Sequence, residues 1–279
     1  MRTEKFETPD PPRLSVQIGA GGIEVVATDT DTTTVEVAGP RAEEFEISQR
    51  GGNLAVNAPR AHGFFGGREE HRVRITTPAD TRLSVKSGSA GLRAEGRYLD
   101  ARLRTGSGDF DIDTVTRVLA TASGSGDLTC DTAHGPVRVR TGSGTIEIGQ
   151  THESVGISTG SGDIHLGRTH KAVVAKTGSG DVVVRRSAGD VTATTGSGDI
   201  HVGHADSGEI RGRTGTGTIT VGVPAGTPVW TDVSTNAGRV RSTLEPVGEP
   251  APGQPHVRLR LQTGSGDIEL SPAPGAASA

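Results

Sequence analysis

Two ladders of ionisable side chains have the spacing to do chemistry. Aspartates recur at Asp109, Asp127, Asp163, Asp181 and Asp199, with Asp267 further on. Carboxylates stacked in register could collect calcium, which takes six to eight oxygen ligands. Histidines recur at His134, His152 and His170, 18 residues apart, and imidazoles in a column are a transition-metal donor set. Asp109 and Asp111 with Arg138 and Arg140 resemble the mixed groups with which some β-helical enzymes cleave acidic polysaccharides. Plainer accounts compete with each. Asp follows Gly directly, unlike the Gly-Gly-x-Gly-x-Asp repeat of calcium-binding β-rolls. One Asp and one Ser per repeat also fall short of a calcium shell, whereas a carboxylate in a turn readily accepts backbone N–H groups. Like charges one rung apart repel by only about 1 kcal/mol in water, so the ladder stands without metal. The histidine series stops at Ala188, and a histidine on a solvated turn is an ordinary polar residue. The Asp and Arg positions recur, while catalysis needs one unlike cluster. Asp163, Asp181, Asp199, His134, His152 and His170 are therefore the metal candidates, and no catalytic or cofactor-binding residue is assigned.

These residues sit on a repeat. Thr-Gly-Ser-Gly-Asp-Ile stands intact at 159–164, 195–200 and 263–268, and variants begin at Ser87, Thr105, Ser123, Thr141 and Thr177. From Ser87 to Thr195 each start follows the last by 18 residues. A fixed period over this length marks a stacked-repeat architecture. Within a unit, Val137, Val139 and Thr141 share one face of the first strand and Ile146 and Ile148 one face of the next, while Arg138, Arg140 and Glu147 between them point away. Each unit thus supplies two short strands joined by a Gly-Ser-Gly corner, and only stacking can bury their apolar side. The corner glycines Gly142, Gly144, Gly160, Gly162, Gly178, Gly180, Gly196 and Gly198 are read as structural, because a sharp corner needs positive φ or close backbone approach. A phosphate cradle would require a helix after the glycines, and strand-like residues follow instead. Thr105, Thr141, Thr159, Thr177, Thr195 and Thr214 share parity with the buried valines. Their hydroxyls are expected to bond up and down the stack, unlike the outward Thr-x-Thr pairs of ice-binding solenoids.

Along the chain, residues 1–13 are polar and proline-bearing and are expected to be a flexible lead-in. Residues 14–80 alternate irregularly and are expected to cap the first rung, an edge that would otherwise invite pairing with other chains. The regular solenoid is expected over 81–271, with a disordered tail at 272–279. Ala61–Gly67, carrying Phe64 and Phe65, reads as a loop, and the proline-rich stretch 245–255 as an excursion before a last coil at Leu259–Leu270. Trp230 could seal that end. Net charge is −4 with basic and acidic residues interleaved, which gives no reason to expect nucleic acid. Cys130 is the only cysteine, so an intrachain disulfide and a Cys-based zinc site are excluded. No apolar run approaches the ~20 residues of a membrane helix. Without an apolar segment near Met1, the default address is cytoplasmic, with export left open.

With Gly-Ser-Gly-Asp corners every 18 residues, led by Val73-Arg-Ile-Thr-Thr-Pro-Ala-Asp-Thr-Arg-Leu-Ser-Val85, residues 14–271 resemble the bacterial "putative adhesin" β-strand-repeat family, a domain of unknown function. The resemblance implies a right-handed parallel β-helix and a binding or adhesive role, and it brings no catalytic residues. The expectation is an all-β, single-stranded parallel β-helix with 18-residue coils, serving as a non-catalytic scaffold or interaction module. Its partner would be a protein or glycan, or a second copy in a homo-oligomer; no cofactor is expected. The alternatives are a polysaccharide-active β-helix enzyme and a calcium-binding β-roll-like protein.

Overall fold

The computed structural model describes residues 1–59, 70–251 and 253–274. The expected Ala61–Gly67 loop and residues 275–279 of the expected tail lie outside them. The chain is an all-β parallel solenoid that divides into two compact units, Met1–Thr141 and Gly142–Ala279. That division falls within the stretch the repeat marks as regular, 81–271, and not near residue 80.

In Gly142–Ala279 the coils stack in the register the repeat demands. Ile146 lies beside Ile164, Ile164 beside Val182, Val182 beside Ile200 and Ile200 beside Ile219. A second column runs through Val155, Val173, Val191 and Ile210. These side chains are almost wholly buried. The physical reason is the period: a strand alternating at period 2 buries one face only when another strand lies above and below it, and the parallel ladders give the backbone its partners at the same time. The corner glycines are held by the same stacking. A Cβ at Gly162 would lie 2.1 Å from the carbonyl oxygen of Gly144, and one at Gly198, whose φ is +149°, would lie 2.1 Å from that of Gly180. No side chain fits there, which is why the corner repeats so closely. Thr177, Thr195 and Thr214 donate to the carbonyls of Gly162, Gly180 and Gly198 at 2.9–3.1 Å, tying each buried threonine to the corner of the preceding coil.

The order of coils departs from the order of the chain at the C-terminal end of this unit. Strand Val257–Ser265 lies between Gly208–Thr216 and Val229–Ala237, and Ile268–Pro272 lies between Ile219–Val223 and Val240–Ser242. The coil expected to be last is thus the penultimate one, and the 245–255 excursion is the length of chain needed to return beneath the coil before it. Val229–Ala237 and Val240–Ser242 pair on one side only among the described residues. Trp230, expected to seal this end, is 48 % exposed. Its ring lies 5.1 Å from the Arg258 guanidinium and 5.8 Å from the His256 ring.

Met1–Thr141 shows the same exchange. Strand Arg13–Ile18 lies between Asn53–Asn57 and Thr81–Ser87, and Ala20–Thr28 lies between Glu70–Pro78 and Gly91–Thr105. The outer strands of this unit, Asn53–Asn57 and Glu70–Pro78, are flanked by antiparallel strands: Glu46–Arg50 along the first, and Thr32–Ala38 along the second. Residues 1–13 correct the expectation of a flexible lead-in, since Arg2–Glu7 is a strand paired antiparallel with Thr32–Ala38. Alternation explains it: Arg2, Glu4 and Phe6 share one parity, and Thr8 beyond them is buried, with its hydroxyl 2.9 Å from that of Thr33. A bulge interrupts strand Gly91–Thr105, where the partners of Tyr98 and Asp100 are the consecutive residues Thr81 and Arg82. One extra residue on a strand re-aims its neighbours. Here the bulge is locked by the buried Tyr98 hydroxyl, which donates to the carbonyl oxygens of Val25 (2.8 Å) and Glu95 (3.0 Å). Burial holds that phenol well above its usual pKa.

Candidate functional site

The bulge delivers Asp100, a fully buried carboxylate, to a group of arginines. Arg117 grips it with a two-point fork, its Nε 2.9 Å from Oδ1 and its terminal nitrogen on Oδ2. Arg82 and Arg102 approach the same Oδ2 at 3.7 and 3.8 Å. Hydrogen bonding from Arg117 holds the Asp100 carboxyl below the usual carboxylate range, against the opposing effect of burial. Three guanidiniums share one carboxylate, so the group keeps a positive surplus. The Nε–H of Arg82 is buried without a hydrogen-bond acceptor. It lies at a shallow cavity of about 510 Å³ whose polar wall includes Arg13, Asn53, Arg82, Arg102 and Arg117.

The outward face beside this cluster is basic in rows. Strand register sets Arg102, Ala120 and Arg138 side by side, and Arg104, Ala122 and Arg140 in the next outward row. Two alanines therefore form the floor of a trough along strand Phe110–Ser123, with an arginine pair on each wall. Alternate strands lie about 9.6 Å apart, twice the ~4.8 Å rung, which sets the trough's width. Lys86 lies beyond Arg104 in the same row. Among the described residues no acidic side chain pairs with Lys86, Arg104, Arg138 or Arg140. Sequence reasoning reached Arg138 and Arg140 only as partners for Asp109 and Asp111. The structure separates them: Asp111 lies between Arg93 and Thr129, whereas Arg138 lies beside Ala120. Asp100, Arg82, Arg102 and Arg117 escaped notice. The available signal was the alternation Arg102-Leu103-Arg104 and Arg138-Val139-Arg140, which sends arginine outward on strands two rungs apart.

The aspartates of the ladder accept hydrogen bonds from the backbone. Asp163 Oδ1 accepts the N–H of Asp181 at 2.8 Å, Asp181 Oδ1 that of Asp199 at 2.7 Å, and Asp199 Oδ1 that of Thr218 at 2.7 Å. Each of these three carboxylates satisfies the corner amide of the next coil. His152 and His170 stack face to face, with ring centroids 4.7 Å apart and planes within 5°. His170 Nδ1 is 2.9 Å from the Thr151 carbonyl oxygen. Stacked rings hold their in-plane lone pairs parallel, so the two do not converge on one ion. His134 belongs to the other unit, where its amide donates to Val115. Among the described residues no group of three or more His, Cys, Asp or Glu could hold a metal ion. Burial raises the Cys130 thiol to about 12, which removes it as a nucleophile near neutrality. No helix among the described residues is long and apolar enough to cross a membrane.

This geometry, parallel coils with unlike side chains presented on flat outer faces, defines a β-solenoid of the repeat class. The chain belongs to the Toastrack DUF4097 family, whose signature matches residues 12–271. Solved structures similar to it include a "putative adhesin" from Bacteroides fragilis, at 12 % identity over 96 % of each chain and a TM-score of 0.38. Another is a "putative adhesin" from Parabacteroides merdae, at 14 % identity over 96 % of this chain and 95 % of that one, with a TM-score of 0.36. A "putative lipid binding protein" from Parabacteroides distasonis shares 14 % identity over 96 % of each chain, with a TM-score of 0.34. No curated protein matches the chain.

Proposed function

We propose that this chain is a non-catalytic interaction module that presents the outer faces of its coils to a glycan or protein partner. One observation carries the reading: the surplus of unpaired positive charge on the outer face of Met1–Thr141, which coil stacking does not require. The inward columns account for the fold, the corner glycines and aspartates account for the turns, and neither explains arginines lining an alanine-floored trough. A catalytic site would need a general acid or base converging with a second unlike group on a substrate position. The carboxylate at the trough's end is instead fully buried and already forked by Arg117.

A second reading, self-association, is favoured by the one-sided strands Val229–Ala237 and Val240–Ser242, where Trp230 and Val240 are 48 % and 45 % exposed. An open parallel edge with apolar side chains is a template for pairing. A glycan-binding panel read together with chromatography and light scattering tests both. The expected result is a retained glycan, or a concentration-dependent dimer, without turnover. A strict monomer that binds nothing would overturn the proposal, as would release of cleaved product from any glycan in the panel.

A further inference from the structure

The trough of Met1–Thr141 has the chemistry to select its occupant. We infer that it binds an extended acidic polysaccharide, one chain wide, whose carboxylates lie along the Ala120–Ala122 floor between Arg102 and Arg104 on one wall and Arg138 and Arg140 on the other. The inference rests on the reading above and names the ligand class of the same face.

Five observations carry it. The walls are arginine on both sides, and a guanidinium fork matches a carboxylate in two parallel hydrogen bonds, which an ammonium cannot do. The protein already displays that match at one end of the trough, where Arg117 forks Asp100. The buried Arg82 Nε–H there has no acceptor of its own. The floor is alanine, so a chain two rungs wide can settle between the guanidiniums instead of resting on their tips. Small polar groups, Ser15 and Ser84 in the Arg102 row and Gln17 in the Arg104 row, continue the surface with donors and acceptors suited to sugar hydroxyls.

The same features disfavour other polyanions. No aromatic side chain lies in these rows, so a single-stranded nucleic acid would find no stacking platform. The trough is narrower than a duplex, and no α-helix is present among the described residues to enter a groove. A membrane surface is disfavoured because these outward rows carry no large exposed apolar residue that could anchor in lipid. With a net charge of −4 on the chain, attraction is local to this face and falls off within about 8 Å at physiological salt, which suits a ligand seated in contact.

The test uses the full chain with polygalacturonate oligomers, neutral galactan oligomers, single-stranded DNA and anionic phospholipid vesicles, each titrated calorimetrically at two salt concentrations. Polygalacturonate should bind, more weakly at the higher salt, and galactan should not. The double variant Arg104→Glu/Arg140→Glu should lose about tenfold or more in affinity. Lys171→Glu/Lys176→Glu, an equal change of net charge on exposed residues of Gly142–Ala279, should leave the affinity as it is. Circular dichroism of both variants should match the parent. Equal binding of galactan, tighter binding of DNA or vesicles, or full affinity in a folded Arg104→Glu/Arg140→Glu variant would overturn the inference. If a neutral glycan binds in those cases, or a dimer forms, the interaction-module reading stands and only the ligand class falls. If nothing binds and the chain is monomeric, both fall.

Discussion

Asp100 in one unit and Glu209 in the other hold the same place in their coils, one residue before an inward apolar side chain, Ala101 and Ile210. Both are ringed by arginine. Asp100 is 1 % exposed and serves Arg117, Arg82 and Arg102, while Arg104, Arg138 and Arg140 in the rows beside it have no carboxylate among the described residues. Glu209 is 18 % exposed and serves Arg211 at 2.6 Å and Arg260 at 3.1 Å. Two neighbouring arginines make contacts of another kind: Arg213 donates to the Gln262 side chain at 2.8 Å, and Arg258 lies over Trp230. The same coil position thus leaves its neighbouring arginines in contact with other side chains in one unit and leaves Arg104, Arg138 and Arg140 without an acidic partner in the other. Arginine content alone does not mark a binding face; arginine left over after the local pairs are made does.

The comparison breaks first at the buried carboxylate. Asp100→Ala should cost about 2–3 kcal/mol, because charge-assisted hydrogen bonds are lost and three guanidiniums are left facing one another. Urea denaturation reads this directly. If Glu209→Ala costs as much, burial is not what separates the two sites. Acid provides a second handle on Asp100. Because its folded pKa is depressed, its contribution is fully present above the ordinary carboxylate value of about 3.9 and is lost as pH falls through the lower folded value. The stability difference between the parent and Asp100→Asn, measured by urea midpoints from pH 6 down to pH 2, should therefore narrow only below about pH 4. A constant difference would mean that the carboxyl is not ionised in the fold.

Smaller effects sharpen the contrast. Glu209→Ala removes ion pairs to arginines about half exposed and should cost under about 1 kcal/mol. Arg104→Glu/Arg140→Glu touches no described ion pair and should move stability by no more than about 0.5 kcal/mol, while abolishing most of the trough's attraction for an acidic chain. A large loss of stability there would show that these arginines hold the fold together, and the functional reading of the face would lose its support.

Much of the fold is legible in the residue pattern. Period 18 sets the coil length, and period 2 assigns Ile146, Ile164 and Val182 inward. The Gly-Ser-Gly-Asp corner announces both the close backbone approach at Gly162 and the carboxylate that caps the next coil. Even the degenerate copy at Leu14 and Val16 falls in register with Leu83 and Val85. The candidate site was half legible: alternation sends Arg102, Arg104, Arg138 and Arg140 to the outer face, but their surplus depends on which carboxylates reach them. Asp100 reaches its arginines only because a bulge after Tyr98 shifts the strand by one residue.

The sequence by itself determined the coil, its corner and the inward or outward sense of each strand residue, because these follow from local periodicity and from what a glycine alone can fit. Tertiary structure decided which coil lies on which. The coil at 257–272 sits between 208–223 and 229–242, and the coil at 13–28 lies between the strands Asn53–Asn57 and Glu70–Pro78 on one side and 81–105 on the other. Parallel ladders offer nearly the same backbone hydrogen bonds to any neighbour, so stacking order is settled by side-chain fit between segments distant in the chain. The same is true of charge: a row of arginines is written in the sequence, but whether it is neutralised depends on neighbours that only folding supplies.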